Sequence, residues 1–356
     1  MNLDDFDQIK ALDKSRVLES INQLDEQCLQ AWEEVKKIAV KDNFDDVDKI
    51  VVSGMGGSAL GAEIIKSVYF DKLKLPLEIV RDYRLPEYAD SNTLVILSSY
   101  SGTTEEVLAA GEEAKKRGAK IMAISAGGEL EKVAQANNWT YFRINPTHNP
   151  CGQPRMAIGY SVIGILGLLI KAGCLAVSDQ DFEEVIKTIR KKQQELAVDR
   201  PQQENAAKKI ADRLYNRVVL IMAAEHLGGC AKAVCNVLNE NAKTMGTYFL
   251  IPEANHHLME GLAYPLTNNA NLIAVMLTTK TYSHPITRRF EVTKRVIEKN
   301  NIPAIEINIE TESKLAQAFE ALTVGEYICF YLAMLNGIDP VGIPWVDYFK
   351  AEMKKE

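Results

Sequence analysis

Two segments of this chain carry the residue types of a phosphate cradle. The first is Ser53-Gly54-Met55-Gly56-Gly57-Ser58, and the second is Ser98-Ser99-Tyr100-Ser101-Gly102-Thr103-Thr104. Each follows an apolar run, Ile50-Val51-Val52 or Val95-Ile96-Leu97, and each opens onto a helical pattern. Hydroxyls and uncovered N–H groups gathered at a helix start favour an anion, through the orphan donors and the macrodipole. Gly57, Ser58, Ser99, Ser101 and Thr104 are therefore the candidate phosphate ligands. Taken singly, each hydroxyl reads equally well as an N-cap or a local turn, and Thr104 as the cap of the next helix. The pair of loops, closing consecutive strand–helix units, is what points to an anion. Gly54-Met55-Gly56-Gly57 lacks the GxGxxG spacing of a dinucleotide site.

Two charged residues further along could act on a molecule anchored there. Arg155 follows a proline in a Gly- and Pro-containing turn, where it can project a fixed cation onto a developing oxyanion; holding a carboxylate elsewhere is the alternative. Glu240 lies off the apolar stripe Cys230, Val234, Val237 and Leu238, so it can face a cleft. The competing reading is a solvated Glu240 paired with Lys243 three residues on.

The elements that must position these residues alternate strand and helix. Strands are expected near 49–53, 77–81, 93–98, 119–124 and 140–143, with helices near 58–68, 104–117, 129–137 and 156–173. A polar stretch over 180–210 reads as a helix and a connection. A second series follows: a strand over 217–223, a turn at Gly228-Gly229, a helix over 230–245, strands over 271–278 and 304–309, and helices near 285–299 and 312–335. This alternation predicts two α/β domains, each a mostly parallel sheet flanked by helices. The repeated strand, Gly-Gly, helix opening suggests duplication. We divide the chain into an N-terminal helical segment (1–44), a phosphate-binding domain (45–200) and a domain bearing Glu240 and His256 (205–356).

The 356 residues have an apolar share of 47%, a charged share of 25% and a net charge of −7, the profile of an ordinary globular chain. The negative balance argues against nucleic acid and anionic membrane as partners. Met156 to Ile170, the longest apolar run, is too short to span a bilayer and reads as a buried helix. The six cysteines form no CxxC pair and no zinc-ligand spacing, so reduced thiols and a cytoplasmic setting are expected.

The Gly-Met-Gly-Gly-Ser and Ser-Tyr-Ser-Gly-Thr-Thr loops resemble those of the sugar isomerase (SIS) domain. With Pro154-Arg155-Met156-Ala157, Asn239-Glu240-Asn241, and Asn255-His256 followed by Glu260, the series is similar to the bifunctional phosphoglucose/phosphomannose isomerases, which have two SIS domains. The resemblance implies an aldose–ketose isomerase of carbohydrate metabolism that converts glucose 6-phosphate to fructose 6-phosphate through an enediol(ate). It implies Glu240 as the base, Arg155 as the stabilising cation, His256 as the ring-opening acid/base, and Lys350 as a cation approaching the site. In similar enzymes the His reaches the neighbouring subunit's site, which implies a homodimer with shared active sites. No metal or other cofactor is implied. The segment Asp339-Pro340-Val341-Gly342-Ile343-Pro344 lacks the family Thr associated with mannose acceptance, which leaves use of mannose 6-phosphate open. The alternatives are an aminosugar-phosphate isomerase or deaminase of the same fold, and a non-catalytic sugar-phosphate sensor.

Overall fold

In the computed structural model, which describes residues 1–353 and 355, the chain forms two parallel sheets. The first contains β1 (Lys49–Gly54), β2 (Leu77–Val80), β3 (Thr93–Ser98), β4 (Lys120–Ser125) and β5 (Thr140–Arg143), in the order β2-β1-β3-β4-β5. The second contains β6 (Val218–Ala224), β7 (Gly246–Ile251), β8 (Leu272–Thr279) and β9 (Ala304–Ile309), in the order β7-β6-β8-β9. Every pairing is parallel. The central strands are continuous apolar runs because helices cover both faces. The second sheet therefore repeats the connectivity of the first four strands, and the α/β expectation for both halves holds.

One face of the first sheet has its own core, in which Val51, Val95 and Leu97 meet Val107, Ala110 and Leu130 of the helices Glu105–Lys116 and Gly128–Ala136. The other face opens into a core shared with the second half. There the helix Gly57–Val68 packs against both Ile158–Lys171 and Gly228–Glu240. The helix Lys314–Leu335 is long and apolar enough to cross a membrane, but 94% of its apolar window is buried inside the fold. It packs on Asp179–Leu196 and Ala206–Leu214 and is a core helix.

The N-terminal segment forms three helices, Phe6–Leu12, Val17–Ile21 and Leu24–Lys36. The third lies on Ile158–Lys171, where Gly159 and Gly167 admit Gln27 and Val35; a Cβ at Gly167 would come within 2.3 Å of a Val35 methyl.

Several expectations need correcting. Gly228 and Gly229 are the first residues of a helix, after a short 3-10 turn over Glu225–Leu227, rather than a turn themselves. That helix stops at Glu240 instead of 245, because the chain reverses through Lys243 at φ 49°. The residues just beyond form β7, an edge strand whose mixed exposure hides its period. The C-terminal helix Pro344–Met353 buries no residue, so no apolar stripe announced it.

Candidate active site

The C-terminal ends of β1 and β3 lie where the strand order reverses, the crevice in which open α/β sheets hold ligands. Gly54 pairs with Ser98 there. The Ser98 hydroxyl donates to the Ser58 carbonyl at 2.7 Å, and the Tyr100 N–H donates to Ser58 Oγ at 2.9 Å, so the two loops are stitched together. No side chain caps the helix Gly57–Val68 or the helix Glu105–Lys116. Thr104 occupies the N-cap position of the latter, but its Oγ1 pairs with Ser99 Oγ at 2.7 Å instead of capping. Ser99 Oγ also accepts the Gly102 N–H at 3.1 Å, and Ser101 Oγ accepts from the Thr103 N–H and hydroxyl at 3.2 and 3.1 Å. Gly102 is required here: its φ is 69°, and a Cβ would sit 1.8 Å from the Gly127 carbonyl oxygen. All five candidate phosphate ligands thus line one pair of helix starts whose hydroxyls bond chiefly to one another.

Arg155 stands on the short turn Pro154–Met156, which rests on Gly57. A Cβ at Gly57 would lie 3.2 Å from the Arg155 Cα and N, so glycine lets the cation's backbone approach the loop without displacement. The side chain is 4% exposed. Its Nε donates to Asn241 Oδ1, Nη1 donates to Gln153 Oε1 at 3.0 Å, and Nη2 donates to the Pro340 and Val341 carbonyls at 3.2 and 2.9 Å. The remaining donor capacity is on Nη1, which lies 3.5 Å from Glu240 Oε2. Burial lowers the Arg155 pKa from its ordinary value, and the Glu240 carboxylate opposes that shift. Glu240 is the last residue of its helix and remains partly open to solvent. Its carboxylate faces Arg155, while Lys243 bonds the Glu240 backbone carbonyl at 2.8 Å, so the side-chain pairing with Lys243 is not formed.

The profile described as "SIS domain" matches residues 44–163, and that described as "Bacterial phospho-glucose isomerase C-terminal SIS domain" matches residues 203–353. A bifunctional phosphoglucose/phosphomannose isomerase of Caldicellulosiruptor bescii is 34% identical over 95% of this chain and 98% of its own length. The enzyme of the same name from Aquifex aeolicus is 28% identical over 91% and 94%. The chain belongs to the bifunctional phosphoglucose/phosphomannose isomerase family. Among solved structures, a hypothetical protein of Thermus thermophilus superposes with a TM-score of 0.74 at 17% identity, covering 98% of this chain and 93% of that one, which shows a shared fold.

Not every residue singled out from this family's motifs joins the cluster. His256 lies on the short helix Ala254–His257 after β7 and is exposed. Lys350 is exposed on the C-terminal helix Pro344–Met353, beside Trp345, Tyr348 and Phe349, which are 82%, 60% and 61% exposed. Among the described residues, no hydrogen bond or ion pair joins either of them to Arg155, Glu240 or the hydroxyl loops. No group of three metal-ligating side chains occurs among the described residues.

The structure adds residues that motif reading passed over. Gln27, fully buried in the third N-terminal helix, donates to the Met156 and His148 carbonyls at 2.9 and 3.0 Å and accepts the Gly159 N–H at 3.2 Å. It props the Arg155 turn from behind. Ser20 assists by accepting the Cys151 N–H at 3.1 Å. A glutamine beside Leu24, Cys28 and Ala31 on a buried stripe was the available signal. Tyr100 connects the second loop to the same turn, through Asn149 at 3.1 Å and on to the Gln153 carbonyl at 3.0 Å.

Proposed function

We propose that this chain interconverts glucose 6-phosphate and mannose 6-phosphate with fructose 6-phosphate through an enediol(ate), as a cytoplasmic homodimer. The observation that carries the reading is the Arg155–Glu240 pair, 3.5 Å apart across the boundary between the two halves and resting on the hydroxyl-bearing loops. A phosphate seated on Gly57, Ser58, Ser99, Ser101 and Thr104 would receive hydroxyl donors and two helix starts, which suits a dianion without a single lysine. With the ester anchored there, the sugar's first two carbons extend towards Glu240.

In this mechanism Glu240 takes the proton from C2 of the open-chain aldose. The electron pair forms the C1–C2 double bond as the carbonyl oxygen becomes an enediolate; the C2 hydroxyl proton passes to O1, and the same carboxyl returns its proton to C1 as the C2 carbonyl forms. Arg155 is already desolvated and oriented by four acceptors, so it meets the developing negative charge with little reorganisation. His256 opens the ring from the partner copy, and Lys350 swings towards the sugar. Their exposure, without side-chain hydrogen bonds or ion pairs among the described residues, supports roles completed by a second copy or by ligand. A pair as close as Arg155 and Glu240 serves proton transfer better than mere sensing.

A coupled assay with fructose 6-phosphate, read separately for glucose and mannose products, tests the reading. Turnover to both products is expected; activity on glucosamine 6-phosphate alone would replace it. Mixing inactive Glu240→Gln and His256→Ala variants should restore about a quarter of the sites if each site draws on two chains. No recovery after subunit exchange would place His256 outside the shared site.

A further inference from the structure

Beyond the groups that would touch substrate, one lysine holds the site together. The helix ending at Glu240 leaves carbonyls without partners. Lys243 turns back over that end and directs its ammonium at four carbonyls: Glu240 at 2.8 Å, Asn241 at 3.4 Å, Asp339 at 3.5 Å and Pro340 at 2.7 Å. Two of these belong to the helix end and two to the strap that leads from the helix Lys314–Leu335 to the C-terminal helix. The Pro340 carbonyl is shared with Arg155, so both cations grip the same strap.

The strap is tied from other sides as well. Asp339 Oδ2 accepts the Ser15 hydroxyl at 2.9 Å, which brings in the N-terminal segment, and Oδ1 accepts the Val341 N–H at 2.9 Å. Asn336 donates to the Ala242 carbonyl at 2.8 Å and to Thr244 Oγ1 at 3.1 Å. Lys243 is the member of this set that reaches both the catalytic helix and the strap with one group.

Its backbone argues that the side chain matters. A φ of 49° disfavours a residue with a Cβ relative to glycine. Glycine would serve a simple reversal, and the lysine found here adds an ammonium that bonds carbonyls of both elements. Burial, reinforced by Arg155, lowers the Lys243 pKa to about 8, while Asp339 and Glu240 act against that shift. Although Lys243 as a whole residue is exposed, its charged end depends on those carbonyls.

We propose that Lys243 is a positioning residue that fastens the 339–341 strap to the end of the Glu240 helix, and thereby sets both the Arg155–Glu240 separation and the point from which the Lys350-bearing helix departs. This rests on the isomerase reading of the site. A simple helix cap would stabilise the helix without governing turnover or the strap.

The test compares Lys243→Met and Lys243→Arg with the wild type, by steady-state kinetics on fructose 6-phosphate and by hydrogen exchange over residues 336–353. Lys243→Met should lower kcat about 10- to 30-fold with KM within threefold, and should speed exchange across 336–353 several-fold while the β1–β5 sheet exchanges as before. Lys243→Arg keeps a charged donor set and should return to within about threefold of wild type in both readouts. The proposal is overturned if Lys243→Met keeps kcat within twofold, if its strap exchanges at the wild-type rate, or if Lys243→Arg is no better than Lys243→Met. Should the wild type show no isomerase turnover, the functional reading fails separately, and unchanged strap exchange in Lys243→Met would still sink the fastening.

Discussion

The two halves of the molecule use the same connectivity and treat the same crevice in opposite ways. After β1 and β3, two uncapped helix starts present hydroxyls bonded mainly to one another. After β6 and β8, the equivalent place is filled by the chain's own side chains. Glu225, at φ 45°, accepts the N–H and hydroxyl of Ser283 at 3.2 and 2.6 Å, where the helix His284–Lys299 begins. His226 and Thr281 both turn to the buried Gln317, at 2.7 and 3.0 Å. Burial lowers the His226 pKa and so disfavours the charged ring. Both halves therefore offer a helix start at the strand-order reversal. An internal carboxylate occupies the second, and the first has no such occupant among its hydrogen-bond partners. The two sheets repeat one connectivity, and side-chain choice bonds a carboxylate to the second helix start while leaving the first without one.

The sharpest way to break this contrast is Glu240→Gln. We expect kcat to fall about a thousandfold, within the range for loss of a general base, with KM for fructose 6-phosphate within threefold. A collapse of affinity alongside kcat would mean that the second half also holds the phosphate. Next in size, the pair Ser58→Ala/Ser99→Ala should raise KM about 30-fold with a smaller change in kcat, whereas Thr279→Ala/Thr281→Ala should leave KM within twofold. Equal effects from the two pairs would erase the asymmetry.

A stability prediction concerns the seam itself, where Glu326 lines a small cavity with Leu60, Arg155 and Val237. Burial pushes the Glu326 pKa up to about 8. Its carboxyl is then neutral in the fold and ionised in the unfolded chain, so stability present at acid pH is lost as pH rises towards 8. Glu326→Gln should match wild type near pH 5 and melt about 2–4 °C higher at pH 8, as differential scanning calorimetry would read. Parallel melting curves across that range would refute the assignment. The smallest effect is expected from Glu225→Gln: a loss of about 1–3 °C in Tm, with kcat/KM within twofold. A marked loss of activity there would show that the second crevice is not a closed structural copy.

Much of this was legible before any coordinates. The strands near 49–53 and 93–98 stand where apolar runs ended in turn residues, because strands buried on both faces leave a continuous signature, and the strand at 304–309 shows the period-two alternation of one buried face. The loop residues Ser58, Ser99 and Ser101 could be singled out because a glycine-punctuated strand end followed by a helix is a local pattern. What escaped has a common cause. β7 is an edge strand, the helix Pro344–Met353 has no buried face, and Gln27 acts on a turn more than 120 residues away in sequence. None of the three leaves a trace within a single window of chain.

The sequence by itself determined the alternation of strands and helices, the positions of the hydroxyl loops, and an arginine in a proline turn and a glutamate off its helix's apolar stripe, since each follows from local propensity and side-chain type. Only the tertiary structure decided that Arg155 would be held by Asn241, Gln153 and the 339–341 carbonyls with one donor turned to Glu240. It also decided that Glu225 would close the second crevice. Hydrogen bonds between groups far apart in the chain depend on how the halves pack, and no periodicity within either half encodes that arrangement.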